Sequence, residues 1–139
     1  MKAHLTQIGE MAFEARAEGR PPIVLDAAGK GDDPKGPSPF QAALLAAMGC
    51  AASDIVWILR KQKAPLAKLE IEAEAERAET EPRVLTTVHL HYKVYGEGVS
   101  EAAVKRAIDL STEKYCSVGI MLRRAGVAWE NTFEILPGT

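Results

Sequence analysis

The sequence predicts an α+β domain, on three observations. Apolar residues alternate with period two in several short runs, most of these runs are joined by turn-forming residues, and two longer segments carry helical spacing. The resulting element order is β-β-β-α-β-β-α-β, with antiparallel sheets and two long helices.

Taking the elements in order, Met1 to Ala17 has strand periodicity, with Met11, Phe13 and Ala15 opposite Glu10, Glu14 and Arg16. Gly19-Arg20-Pro21-Pro22 interrupts it, and Ile23-Val24-Leu25 reads as a further short strand. Gly29 to Pro37 is a loop rich in Gly, Pro and Asp. A helix follows, with Ser38 as N-cap, Pro39 at the first helical position and Gln41 placed to close a capping box. From Ala42 to Ala52 this helix carries no charge, so it is expected to be buried nearly all round. Arg60, Lys61 and Lys63 place cations at its negative end, and Pro65 stops it.

In Leu69 to Ala75 the odd positions are apolar, while Glu70, Glu72, Glu74 and Glu76 point the other way. In Val84 to Val94 the even positions Val84, Val88, Leu90, Tyr92 and Val94 form the expected core face. Glu79 to Arg83 joins the two as a hairpin. Ser100 caps a second helix that runs to about Ala125, its inner stripe including Val104, Ala107, Ile108, Ser111, Tyr115, Val118 and Leu122. After Gly126 the alternation of Val127, Trp129, Phe133 and Ile135 makes a last strand.

The 139 residues suit one domain, 1-139, with a core that needs no staples. Seventeen Lys+Arg against nineteen Asp+Glu give a net charge of −2, so no general attraction to nucleic acid or acidic lipid is expected. No basic segment followed by an apolar run opens the chain, and the uncharged run Pro37 to Ser53 is shorter than the ~20 residues of a spanning helix. A cytoplasmic location outside the membrane is the expectation. A small chain rarely covers a helix that is apolar all round, so a homodimer burying that helix is also expected.

Two cysteines, Cys50 and Cys116, are too few for a secreted disulfide framework and do not have zinc-motif spacing. They read either as small buried hydrophobes or as a redox pair, the second requiring the two helices to cross near them. The run Gly36-Pro37-Ser38-Pro39-Phe40-Gln41-Ala42-Ala43-Leu44-Leu45-Ala46-Ala47-Met48-Gly49-Cys50-Ala51-Ala52-Ser53-Asp54-Ile55-Val56 resembles the central helix of the OsmC/Ohr family. That family comprises the osmotically inducible protein C and organic hydroperoxide resistance proteins. Ala107 to Val118, around Cys116, resembles the segment that holds the family's second cysteine. The Pro-Ser-Pro opening and the Ala-Ser-Asp-Ile-Val run are most similar to the less characterised OsmC-like branch.

The resemblance implies an OsmC-like fold in an intertwined homodimer, and a thiol peroxidase that reduces organic hydroperoxides. Cys50 would be the peroxidatic cysteine, forming a sulfenic acid, and Cys116 the resolving cysteine that condenses with it to a disulfide. A dithiol reductant, such as a lipoylated protein, would restore both, with no cofactor and no metal. The family activates its thiolate with an arginine from the N-terminal strands; Arg16 is the first candidate here and Arg20 the second. The positions where the family carries the glutamate that steers this arginine hold Phe40 and Gln41. Asp54 lies one helical turn beyond Cys50 on the same face, where a carboxylate disfavours a thiolate unless a cation pairs with it.

Other motifs carry less. His89 and His91 share one strand face with no third ligand apparent, and read as solvated histidines. Gly29, Gly31 and Gly36 precede a helix but lack phosphate-loop spacing. Trp57 and Trp129 read as core residues that could also wall an apolar pocket. The alternative to an enzyme is a dimeric protein of the same fold that binds an apolar small molecule with weak or no peroxidase activity.

Overall fold

Strand and helix order follow the sequence closely. In the computed structural model, which describes residues 1–29 and 31–138, β1 is Ala3–Gln7, β2 Ala12–Ala17 and β3 Ile23–Asp26. Helix α1 spans Pro39–Lys61, β4 Lys68–Arg77 and β5 Leu85–Tyr95. Then come α2 (Glu101–Leu110), a π-helical turn (Ser111–Tyr115), α3 (Ser117–Arg124) and β6 (Ala128–Leu136). The chain divides into two compact units, Met1–Ala46 and Ala47–Thr139.

In the first unit, β1, β2 and β3 form an antiparallel meander in that order. The buried side chain of β2 is Ala12, whereas Met11, expected to share an apolar face with Phe13, is exposed. The strand starts one residue later than the alternation suggests, which puts Met11 in the turn. The following loop is tied by the buried Asp26 carboxylate, which accepts the backbone N–H groups of Ala28 and Lys35 at 2.9 Å each. These bonds, led by the one from Lys35, hold the Asp26 pKa below the usual carboxylate range. Gly36 has a steric reason to be glycine, since a Cβ there would sit 2.1 Å from the Val24 carbonyl oxygen. Lys30, within the expected loop, lies outside the described residues.

The α1 start is a reciprocal capping box. The Gln41 N–H donates to Ser38 Oγ at 3.0 Å, and the Ser38 N–H donates to Gln41 Oε1 at 2.9 Å. Its far end closes in a Schellman motif, with Ala64 N–H on the Leu59 carbonyl and Lys63 N–H on that of Arg60, each at 2.9 Å. Lys63 takes the left-handed conformation this requires, at φ 59°.

Within one chain α1 buries a single stripe of Ala47, Ala51, Ile55, Ile58 and Leu59 and leaves other apolar side chains uncovered. Trp57, read as core, is 54% exposed; it lies edge-on to Tyr115, with the Lys61 ammonium 4.8 Å from its ring centre. By length and composition alone the 23-residue helix would also be apolar enough to cross a membrane, a property that core helices of soluble proteins share.

In the second unit, β4 and β5 pair antiparallel as expected, but β5 and β6 run parallel. The helical crossover from Gly98 to Gly126 returns the chain in its original direction, whereas only a hairpin would reverse it. The core face of β5 is Val88, Leu90, Tyr92 and Val94, all buried. Val84 does not belong to it, being 54% exposed, and Leu85 takes its place at 9%. A register irregularity between Glu76 and Arg77 shifts the pairing by one residue at that end, which swaps the face presented. The Ser100 cap is present, its Oγ accepting the Ala103 N–H at 3.1 Å.

The second helix is not continuous. After Leu110 the backbone widens into the π-helical turn, and Cys116 adopts φ −75°, ψ 88° as the residue capping α3. Such turns are frequent at functional sites.

Candidate active site

Helical spacing places Cys50 and Asp54 one turn apart on α1, and the break between the π-helical turn and α3 brings Cys116 to the same point. The two sulfurs and an Asp54 carboxylate oxygen all lie within 4.8 Å of one another in one chain. Both cysteines are free thiols; Cys50 is half-buried, whereas Cys116 is 3% exposed. The Cys116 S–H faces the Ala47 carbonyl at 3.9 Å, a weak contact. Burial pushes the Cys116 thiol pKa up, and the neighbouring Cys50 thiol and Asp54 carboxylate push the same way. The Gly119 N–H at the start of α3 works against them.

Gly119 is also needed for space. A Cβ there would stand 3.1 Å from Cys116 Sγ and 3.7 Å from the Trp129 ring. Trp129 is half-buried and closes this side, with its indole N–H on Asn131 Oδ1 at 3.2 Å. Asn131 in turn donates to Thr112 Oγ1 at 2.9 Å, and an Arg123 guanidinium N–H donates to the Thr112 carbonyl. The opened backbone of the π-helical turn is thereby held by side chains from α3 and β6. The cavity touching Cys116, Tyr92 and Arg123 has about 10 Å³, the lower limit for one water and far too small for an organic molecule. Burial also raises the pKa of the Tyr92 hydroxyl, so it stays protonated beside the site.

Ser111 is the residue that sequence reasoning missed. It was placed on the inner stripe of a helix, and it is 1% exposed; its Oγ donates to Asp54 Oδ2 at 2.9 Å. A hydroxyl on an otherwise apolar stripe must find a partner when buried, which is the signal that could have found it. The bond ties the start of the π-helical turn to α1 and fixes the Asp54 carboxylate beside the two thiols.

Arg16 lies on β2 in the first unit, half-exposed, and pairs with Glu14 two residues away at 3.2 Å. Arg20 follows the β2–β3 turn in the same unit. His89 and His91 are not the solvated pair expected. Both are half-buried, and their ring nitrogens meet Thr132 Oγ1 at 2.8 and 2.7 Å. The parallel pairing that puts Thr132 opposite His91 was not foreseen, so neither was this partner.

The profile of the OsmC-like protein family matches residues 29–130. The chain therefore belongs to the OsmC-like family. Among its relatives is protein YhfA of Escherichia coli K12, 40% identical over 98% of both chains. A hypothetical protein from Aquifex aeolicus VF5 superimposes with a TM-score of 0.86, at 25% identity over 98% of this chain and 96% of that one. The fold extends to an organic hydroperoxide resistance protein OsmC from Legionella pneumophila, with a TM-score of 0.69 and 18% identity, over 96% and 95% of the two chains.

Proposed function

We propose that this protein is a cysteine-based thiol peroxidase that reduces organic hydroperoxides to alcohols. The observation that carries the reading is the approach of the only two sulfhydryls, from distant parts of one chain, to within 4.8 Å. The half-buried Cys50 is the thiol that peroxide can reach, and the buried Cys116 is the thiol that waits. Family membership and the organic hydroperoxide resistance protein that shares the fold support the same chemistry.

In the proposed cycle the Cys50 thiolate attacks the terminal peroxide oxygen and the O–O bond breaks. The departing alkoxide takes a proton and leaves as the alcohol, and Cys50 becomes a sulfenic acid. Cys116 then loses its proton and attacks the sulfenate sulfur, forming the disulfide and releasing water. A dithiol, for which a lipoylated protein is the family precedent, returns two electrons and two protons. Arg16 keeps the thiolate-activating role that the family pattern gives it, with Arg20 as the second candidate. The organic tail needs an apolar wall, and the exposed part of α1 around Trp57, covered by a second copy of the chain, would supply one.

The test is peroxide consumption with a dithiol reductant, comparing cumene hydroperoxide with hydrogen peroxide. The reading expects faster turnover of the organic peroxide, abolished by Cys50→Ser and lowered by Arg16→Met. Equal, slow rates in wild type and Cys50→Ser would refute it. One observation favours a second reading, an apolar-ligand-binding protein with weak peroxidase activity: the Asp54 carboxylate lies beside both thiols and opposes ionisation of Cys116. Saturable apolar-ligand binding without peroxide turnover would select that reading.

A further inference from the structure

We propose that the reduced protein binds a zinc ion between Cys50 Sγ, Cys116 Sγ and the Asp54 carboxylate. This inference rests on the donor geometry and stands whether or not the protein is a peroxidase. Zn²⁺ takes thiolate sulfur at ~2.3 Å and carboxylate oxygen at ~2.0–2.2 Å in tetrahedral sites. Two sulfurs on one such ion are therefore ~3.8 Å apart at the tetrahedral angle. The three donor atoms already lie within 4.8 Å of one another, so inward movements of about an ångström or less close the site.

Cys50 and Asp54 sit at i and i+4 on one helix, the spacing that puts two ligands on one face. Cys116 stands at the junction between the π-helical turn and α3, where the backbone departs from helical geometry. The Ser111 hydroxyl on Asp54 Oδ2 supplies the outer-shell hydrogen bond that orients a ligating carboxylate, leaving the other oxygen for the ion. Two thiolates and one carboxylate neutralise a divalent cation with one charge to spare. Binding displaces the thiol protons, and the divalent ion then compensates the negative ligands around it. Two sulfur ligands favour zinc over magnesium or calcium, which take oxygen. Three protein ligands leave a fourth position for water, as in open zinc sites. Each sulfur can bond to the ion or to the other sulfur, so metal occupancy and a Cys50–Cys116 disulfide exclude each other.

The test titrates reduced, oxygen-free protein with Co²⁺ as a spectroscopic stand-in and then displaces it with Zn²⁺. The proposal expects one Co²⁺ per chain, a thiolate charge-transfer band and the intense visible bands of four-coordinate cobalt, all lost on adding Zn²⁺. Cys50→Ser and Cys116→Ser should each remove most of the charge-transfer intensity. Asp54→Asn keeps the shape and can still accept from Ser111, so it should fold normally and weaken binding at least ~10-fold. His89→Ala with His91→Ala should change nothing. Absence of the band in wild type, full affinity in Asp54→Asn or Cys116→Ser, or loss of binding in the histidine variant would each overturn the proposal.

Discussion

The two cysteines differ in what surrounds them, and that difference sets how readily a reagent in solvent reaches each. Cys50 has a solvent-facing side, whereas Cys116 is enclosed and its thiol is held protonated, first by burial and then by its two acidic neighbours. Iodoacetamide at neutral pH should therefore modify Cys50 at least ~10-fold faster than Cys116, as read by peptide mass spectrometry. The raised Cys116 pKa also fixes a sign for stability. The folded chain retains a proton that the unfolded chain releases near the ordinary thiol value of ~8.5. The stabilisation from the neutral thiol is thus complete below that pH and is lost as pH rises towards the folded value. Urea midpoints should fall more steeply above about pH 8.5 for the reduced wild type than for Cys116→Ala. Of these residues, Cys50 and Cys116 were legible as a candidate pair, and Asp54 as a neighbour of Cys50. Ser111 was not, because its place on a helical stripe also fits a packing role.

Among the elements, α1 is the best specified and the second helix the least. Its capping box was readable from Ser38 and Gln41, and Ser38→Ala should cost about 1 kcal/mol in chemical denaturation. The helix end offers the opposite change. Lys63 holds a left-handed backbone that glycine adopts without a Cβ clash, so Lys63→Gly should stabilise the protein by up to ~1 kcal/mol. The break at Cys116 left no trace in the periodicity, since Ser111, Tyr115, Val118 and Leu122 continue a helical stripe across it. What opens the helix is tertiary: the Asp54 bond to Ser111, and the grip of Arg123 and Asn131 on Thr112. The β5 edge shows the same limit, where a one-residue irregularity exchanges Val84 for Leu85 on the core face.

At the scale of the molecule, the α+β order and the family were legible, because alternation and two cysteine-bearing motifs survive in the chain. The parallel pairing of β5 with β6 was not, since strand direction depends on the path of the crossover rather than on local pattern. An apolar helix that one chain covers along one stripe is the reason to expect a second copy. Sedimentation equilibrium at micromolar concentration should give a homodimer, and Trp57→Glu should shift it towards monomer.

The most direct measurement treats reduced protein with one equivalent of cumene hydroperoxide, then counts free thiols and maps disulfide-linked peptides. A Cys50–Cys116 bridge within one chain, with both thiols lost and monomer mobility on a non-reducing gel, is the predicted result. Retention of both thiols, or a bridge that joins two chains, would contradict the account.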